Sequence, residues 1–153
     1  MSGQYYEQLE IGRIFQHPIR RTVTETDNLL FSALTHNPAV LHLDEEYCRE
    51  HTEFGRRIVN SSFTLGLIVG ISVGDTTLGT TLGNLGMDEI RFPAPVFLGD
   101  TLRSETEVIS RRESASRPNA GLVVFEHRGY NQRNELVATF KRAVLVPRKP
   151  QQD

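Results

Sequence analysis

Tryptophan is absent from the 153-residue sequence, and Cys48 is its single cysteine. One cysteine excludes a disulfide within the chain, and we interpret Cys48 as a small buried side chain. No run of roughly 18 apolar residues occurs, so we expect no transmembrane helix and no membrane partner. The N-terminus lacks a basic start followed by an apolar stretch, which predicts no secretory signal and a cytoplasmic location.

An excess of charge of one sign is also missing, because 17 Lys and Arg residues face 19 Asp and Glu residues, for a net charge of −2. A nucleic-acid-binding domain would show a basic stripe or a high isoelectric point, so we expect no nucleic-acid partner. The length suits one domain with one hydrophobic core. We predict a single domain over residues 1–147, followed by a flexible polar tail over residues 148–153.

The first half of the chain combines one strand pattern with three helical ones. The strand-like run over residues 13–23 contains Pro18, which places it at a sheet edge or in a bend. Segment 24–34 opens with a Thr–Asp capping pair and continues with leucines at helical spacing, which predicts a first helix. A short second helix is predicted over 45–51. Over 60–73 apolar residues point all around a helix, which is typical of a buried one.

The second half reads as consecutive strands. Strand patterns cover residues 82–92, 102–112, 122–130 and 136–146. His127 stands between Glu126 and Arg128, and we expect it at the surface of its strand or in an interface. One buried helix followed by consecutive antiparallel strands predicts an α+β fold, with the sheet wrapped over the helix.

The most informative stretch is the polar segment 34–62, which precedes the buried helix and is rich in His and Asn. Loops on a rigid scaffold often carry function. His42 is the strongest candidate general base, because the ordinary pKa of histidine, about 6.5, is near neutral pH. Asp44 could orient it or be solvated. A lone histidine in a loop is more often structural, so both interpretations stay open. His36 and His42 lack the spacing of a metal site, and we expect no metal.

Several segments resemble the MaoC-like dehydratase family, which includes (R)-specific enoyl-CoA hydratases. They are TVTETD at 22–27, LTHNPAVLHLD at 34–44, FGRRIVNSSF at 54–63 and GMDEIRFPAPVFLGDTL at 86–102. LVVFEHRGYNQRNELV at 122–137 resembles in particular the branch with mesaconyl-CoA hydratase (β-methylmalyl-CoA dehydratase). The resemblance implies a hot-dog fold, in which a curved antiparallel sheet wraps around a long buried helix.

The resemblance also implies roles for individual residues. In the family's hydratases an Asp and a His, five residues apart, activate a water, and a backbone N–H at the start of the central helix holds the thioester oxygen. The His falls on His42, the Asp on Asn37, and the N–H on Ser61. Asn37 cannot accept a proton as a carboxylate can, but it can orient water. The implied activity is that of a hydro-lyase on a short enoyl-CoA, with branched and dicarboxylic acyl groups in range. CoA belongs to the substrate, and no cofactor is implied.

Residues next to these positions have two interpretations each. Asn60, Ser61 and Ser62 could contact substrate; the alternative is capping of the central helix, for which Asn60 and Ser61 are suited. Arg56 and Arg57 suit a CoA phosphate or a substrate carboxylate, because guanidinium groups bind both. They could equally form a solvated pair.

Two other functions stay open at this point. An acyl-CoA thioesterase would need a carboxylate on the central helix, and residues 60–74 contain none. A non-catalytic acyl-CoA-binding hot-dog protein is favoured by Asn37 in place of the family's Asp. We expect a homodimer or a higher homo-oligomer, since a single curved sheet leaves an edge to cover. A heteromer, in which a partner supplies the missing carboxylate, also stays open.

Overall fold

A computed structural model describes residues 3–150 of the chain. After a 3-10 turn at Tyr6–Gln8, the elements are β1 (Ile14–Thr22), α1 (Glu25–Leu34), α2 (Val40–Leu43), α3 (Glu45–His51), α4 (Ser61–Thr76), β2 (Gly83–Arg91), β3 (Thr101–Glu113), β4 (Ala120–Tyr130) and β5 (Leu136–Pro147). All the predicted helices and strands are present, and α3 has the predicted bounds. The short helix α2, which carries His42, was not predicted.

The five strands form one antiparallel sheet in the order β1-β3-β4-β5-β2. β1 is an edge strand, and its register with β3 shifts between Gln16 and Arg20, around Pro18. A proline is tolerated there because the edge needs no further backbone donor, so the prediction for Pro18 is confirmed. α4 packs against β1, β3, β4 and β5, which confirms the α+β class.

A glycine in the sheet lets α4 approach closely. Ile68 on α4 is fully buried in the core that also contains Phe140 and Leu102. Gly129 on β4 leaves the space for it, since a Cβ there would stand 2.6 Å from Ile68 Cδ1. Burying such a side chain stabilises the fold by about 2 kcal/mol. Ile68 therefore fixes the middle of α4 against the sheet.

The inner face of α4 is more polar, and its outer face more open, than the sequence predicted. Thr64, Ser72 and Thr76 are buried, while Gly66 and Gly70 are exposed. Ser72 and Thr76 satisfy their hydroxyls by donating to carbonyls of the preceding turn. A helix that is apolar on all sides does not reveal which side meets the sheet, so the prediction of complete burial was wrong for one face.

The first helix begins as predicted, but its leucines face away from the core. Thr24 Oγ1 accepts from the Asp27 N–H at 3.3 Å, and Asp27 Oδ2 accepts from the Thr24 N–H at 2.8 Å. The buried residues of α1 are Asn28 and Ser32. Leu34 is 73% exposed. The inner stripe of α1 is therefore polar, and its apolar stripe faces outward.

Two further expectations need correction or restriction. His127 is fully buried on the inner face of β4. Its charged neighbours point outward, so the period-two alternation of the strand turns His127 inward, and the expected surface position was wrong. In the predicted tail, the N–H groups of Arg148 and Lys149 are bound by Asn119 O and Glu7 Oε2. Tail residues 151–153 lie outside the described residues.

Candidate active site at the start of the central helix

The imidazole of His42 is held in one orientation. His42 lies on α2, is half-buried, and has its Nδ1 at 2.9 Å from the carbonyl oxygen of Ile58. A carbonyl oxygen only accepts hydrogen bonds, so Nδ1 carries the proton and donates it. In the neutral ring the lone pair is therefore on Nε2. A histidine in this tautomer can accept a proton at Nε2, as a general base must.

The start of α4 offers a free backbone donor. Asn60 caps the helix, because its Oδ1 accepts from the Ser62 N–H at 3.1 Å and its carbonyl accepts from the Thr64 N–H at 3.1 Å. Within residues 3–150 the Ser61 N–H donates to no acceptor. Unpaired N–H groups at a helix start carry partial positive charge and stabilise negative charge nearby. Ser61 is thus the first residue of α4 and its oxyanion role stays a prediction, whereas the side chain of Asn60 is used for capping.

A buried asparagine joins the two groups, and sequence reasoning did not single it out. Asn28 on α1 is fully buried; its Nδ2 donates to His42 O at 3.0 Å and its Oδ1 accepts from the Asn60 N–H at 2.9 Å. Ser32, one turn further along α1, accepts from Asn60 Nδ2 at 3.4 Å. The signal in the sequence was the polar pair four residues apart on α1, which the neighbouring leucines obscured.

Asn37 sits in a tight turn between α1 and α2. Its Oδ1 accepts from the Ala39 N–H at 3.0 Å, and its own N–H donates to Ser32 O at 2.9 Å. The preceding residue, His36, has φ 51°, a left-handed conformation that costs energy for a residue other than glycine. The turn therefore fixes the side chain of Asn37, which is half-buried.

An apolar cavity of about 230 Å³ adjoins the helix start. Its lining includes Phe54, Ile58, Ser61, Thr64, Phe92, Pro95 and Val137. The Thr64 hydroxyl is buried and has no hydrogen-bond partner among the described residues. Ile58, which orients His42, and Ser61, which carries the free helix donor, both line this cavity.

The two neighbouring arginines have different environments. Arg57 is paired with Glu45, with Nε 2.6 Å from Oε2, and with Glu25, with Nη2 2.9 Å from Oε1. Its side chain is 14% exposed, and it braces α1 and α3 against the loop before α4. Arg56 is exposed and lies over the ring of Phe97, 3.7 Å from the centroid. Arg56 forms no ion pair within residues 3–150, so only this guanidinium is available to an anion.

The cysteine has no place in the site. Cys48 is fully buried, as predicted, and its thiol lies near the carbonyls of Val40 and Leu41. Burial raises the pKa of the Cys48 thiol, and a protonated thiol is a poor nucleophile.

The described part of the chain contains neither a cluster of metal-binding side chains nor a helix able to span a membrane. Across residues 3–150, no three His, Cys, Asp or Glu side chains are grouped to hold a metal ion. No helix there has the length and apolar character needed to cross a bilayer.

Comparison with known proteins identifies the family. The model of the MaoC-like domain matches residues 7–127. The chain belongs to the MaoC-like domain family. It is 32% identical to the mesaconyl-CoA hydratase of Cereibacter sphaeroides over 97% of this chain and 42% of that protein. The MaoC-like chain thus spans about two fifths of the length of the curated relatives it matches first.

Solved structures show the same fold. The MaoC-like dehydratase from Rhodospirillum rubrum superposes with a TM-score of 0.83 at 30% identity, covering 97% of this chain and 100% of that one. A Mycobacterium tuberculosis protein with a double hot-dog fold gives a TM-score of 0.88 at 23% identity, over 99% of this chain and 46% of that one. At that identity the second match shows the fold alone. The predicted hot-dog fold is confirmed.

Proposed function

We propose that this MaoC-like domain is a hydro-lyase that adds water to, or removes it from, a short acyl-CoA. The observation that carries the proposal is that Ile58, whose carbonyl holds the His42 ring, and Ser61, whose N–H is free, line the same apolar cavity. His42 donates through Nδ1 to Ile58, which leaves Nε2 as a base, and the Ser61 N–H three residues later is without an acceptor in the described part of the chain. The mesaconyl-CoA hydratase named above supports the same reaction class.

Hydration would use these two groups together. The enoyl thioester oxygen accepts from the Ser61 N–H, which stabilises the negative charge that builds on it. His42 Nε2 takes a proton from water as the water oxygen bonds to the β-carbon. The proton then passes to the α-carbon, so that H and OH have been added across the double bond. Dehydration is the reverse. The reaction needs no metal or redox cofactor, since CoA is part of the substrate.

Asn37 would position the attacking water. Its Oδ1 is engaged by the Ala39 N–H, and an amide cannot take a proton from water. We assign the proton transfer to His42 alone and the orientation of the water to Asn37. The same substitution of the family's Asp is what a non-catalytic acyl-CoA-binding protein would show, so a turnover measurement has to separate the two.

The cavity favours a small acyl group. Its volume of about 230 Å³ is below the roughly 300–1,000 Å³ of pockets that take drug-sized ligands. Apolar side chains form most of the lining, and the Thr64 hydroxyl is a polar group within it. We propose a short acyl group, with branched and dicarboxylic groups such as mesaconyl included. Arg56 is our candidate for contact with a CoA phosphate or a substrate carboxylate.

The test is turnover of purified protein with crotonyl-CoA and mesaconyl-CoA. We expect the absorbance of the enoyl thioester to fall as water adds, and the His42→Ala variant to show almost no change. Release of free thiol instead would indicate a thioesterase. Tight binding of both compounds without turnover would indicate a non-catalytic acyl-CoA-binding protein, and either result would end the proposal.

The proposal includes a homodimer in the cytoplasm. β2 is an edge strand, and Leu82 before it and Leu85 within it are 51% and 56% exposed. Gly66 and Gly70 on the outer face of α4 have no atom within 4 Å of the position where a Cβ would stand. Two copies joined along β2 would extend the sheet and bring two α4 helices together at these glycines. Light scattering should give twice the chain mass, and Leu85→Lys should halve it.

A further inference from the structure

Within residues 3–150, Asn28 is the only side chain that forms hydrogen bonds both with His42 and with Asn60, the residue that precedes Ser61. Its Nδ2 donates to His42 O at 3.0 Å and lies 3.5 Å from Ile58 O, and its Oδ1 accepts from the Asn60 N–H at 2.9 Å. One planar amide therefore spans from the backbone of the candidate base to the backbone next to the candidate oxyanion donor.

The amide has no other visible task. Asn28 is fully buried on the inner face of α1. It does not cap α1, because Thr24 does. A buried amide is expensive unless both of its ends are hydrogen-bonded. Leucine would fill the same inner position of α1 without that requirement, so the amide is explained by the two backbone segments it binds.

The geometry of these bonds determines what Asn28 controls. The Nδ1–H of His42 points at Ile58 O because α2 and the Ile58 segment are held at a set separation. Ile58 N–H also donates to Leu41 O at 3.0 Å, but that bond involves the preceding carbonyl and not His42 O. Asn28 supplies the missing restraint on His42 O, and through Asn60 it restrains the first residue of α4.

We propose that Asn28 is a positioning residue. It sets the distance between the His42 imidazole and the Ser61 N–H, and it keeps the His42 proton on Nδ1. The proposal rests on the proposed hydro-lyase function and deepens it. Asn28 touches neither water nor substrate in this assignment. It acts through His42 and Asn60, and its loss should lower the rate of the chemical step more than the affinity for substrate.

The decisive variants are Asn28→Leu and Asn28→Asp. Leucine has the same number of side-chain heavy atoms and removes the hydrogen bonds, whereas aspartate keeps the acceptor for the Asn60 N–H and removes the amide donor to His42 O. Asn131→Leu is the matched control, since Asn131 is 1% exposed and its side chain binds only Arg133 and Glu135 in the β4–β5 turn. It loses a buried amide of the same kind without touching the site.

We expect both Asn28 variants to lower kcat by about 10- to 100-fold with KM changed by less than about threefold, because small misplacement of reacting groups has effects of this size. Asn131→Leu should lose as much thermal stability and keep its kcat. Equal kcat values for Asn28→Leu and Asn131→Leu at the same folded fraction would overturn the proposal. Should the leucine variant not fold, Asn28→Asp decides alone, because it keeps the bond to Asn60.

A second readout does not depend on turnover. Nitrogen-15 spectra of the His42 ring should show the Nδ1–H tautomer in the wild-type chain and a mixture of tautomers in both Asn28 variants. An unchanged tautomer in Asn28→Asp would contradict the proposal. A wild-type chain that hydrates neither crotonyl-CoA nor mesaconyl-CoA would end the proposed function, while the spectra would still decide whether Asn28 positions His42.

Discussion

The two ends of α4 carry polar clusters made from similar residues, and they differ in whether the hydrogen bonds are complete. At the N-terminal end, His42 uses one ring nitrogen and the Ser61 N–H is free of any acceptor in the described structure. Near the C-terminal end, His17 and His127 have all their ring nitrogens in hydrogen bonds. Groups left without a partner, beside a cavity, are what a substrate can use.

The cluster near the C-terminal end of α4 is a chain of hydrogen bonds that runs from Arg142 to Asp75. Arg142 Nε can only donate, so it donates to His127 Nε2 at 3.0 Å, and the His127 proton must be on Nδ1. His127 Nδ1 then donates to Thr106 Oγ1 at 2.9 Å, and Thr106 donates to His17 Nε2 at 2.8 Å. His17 Nδ1 donates to Asp75 Oδ2 at 2.8 Å. A buried cation is thereby connected by hydrogen bonds to a half-buried carboxylate.

Residue types alone would assign chemistry to the wrong end. Asp75, His17 and Thr106 follow one another in the order of a hydrolase triad. Thr106 is fully buried and His17 is 7% exposed, so no substrate can reach the hydroxyl. The comparison teaches that access and an unused lone pair, rather than the presence of histidine and carboxylate, distinguish a catalytic site from a structural one in this fold.

The largest expected effect concerns the two histidine environments. We predict that His42→Ala lowers kcat/KM for crotonyl-CoA by about 10³-fold, since a general base contributes 10²- to 10⁴-fold. His17→Asn should lose stability but keep kcat/KM within about threefold per folded molecule. Steady-state kinetics, corrected for the folded fraction by circular dichroism, would measure both. Comparable losses of kcat/KM in the two variants would remove the distinction between the two ends.

The next effect concerns Asp75, the carboxylate at one end of this chain of hydrogen bonds. Asp75→Asn removes the negative charge that His17 donates to, and we expect the free energy of unfolding to fall by about 2 kcal/mol. Arg142→Met should change it by less than about 1 kcal/mol, because burial lowers the pKa of Arg142 to about 10 and so already disfavours the buried charge.

Urea titrations of both variants and of the double variant would measure the coupling between the two charges. Asp88→Asn is the matched control, since Asp88 is exposed on β2 and should cost almost nothing. A stability loss of the same size in Asp88→Asn would show that the change in net charge is responsible, and not the loss of the hydrogen-bond chain between Arg142 and Asp75.

A smaller effect should appear with pH. Burial, and then the charge of Arg142, hold the pKa of His127 well below its ordinary value. In the unfolded chain His127 titrates near pH 6.5, so below that pH the unfolded state binds a proton that the folded state does not. The free energy of unfolding should therefore fall as pH decreases, by about 1 kcal/mol from pH 6.5 to 5.5.

His127→Gln tests this pH dependence, because a glutamine amide can occupy the position without titrating. Urea unfolding of wild type and variant at pH 7.5, 6.5 and 5.5 should give a shallower dependence in the variant. Parallel curves for the two proteins would mean that His127 is protonated in the folded state as well.

Hydrophobic periodicity predicted the helices and strands. Which side of each element faces the core became clear only from the three-dimensional fold. Apolar spacing and capping residues gave α1, α3, α4 and the five strands to within a few residues. The inner position of Asn28 escaped this reasoning, because Leu29 and Leu30 dominate the spacing of α1 and a single sequence does not say which stripe meets the core. His127 was misplaced since its charged neighbours suggested a polar strand face, although alternation turns them to opposite sides.

The candidate site residues came from short segments that resemble the family, and their roles stay predictions. The structure shows that neighbouring backbone groups hold His42 and Asn37, and that Ser61 begins α4. Arg56 and Arg57 are adjacent and of one type, so only the position of Glu25 and Glu45 on other helices separates them. Such contacts follow from how the helices pack, which local patterns do not encode.

The smallest predicted effect extends the comparison to these arginines, since Arg56 is exposed and Arg57 is held in two ion pairs. Arg56→Gln should raise KM for an acyl-CoA about three- to tenfold and leave kcat unchanged, because an exposed guanidinium binds a phosphate or carboxylate without taking part in the reaction. The effect should shrink at 0.5 M salt, where screening shortens the range of the attraction. Arg57→Gln should instead lower the free energy of unfolding by about 1 kcal/mol, through its two lost ion pairs, with KM unchanged. If KM rose only in Arg57→Gln, then Arg57 and not Arg56 would bind the acyl-CoA. Its ion pairs with Glu25 and Glu45 would then have to change when substrate binds.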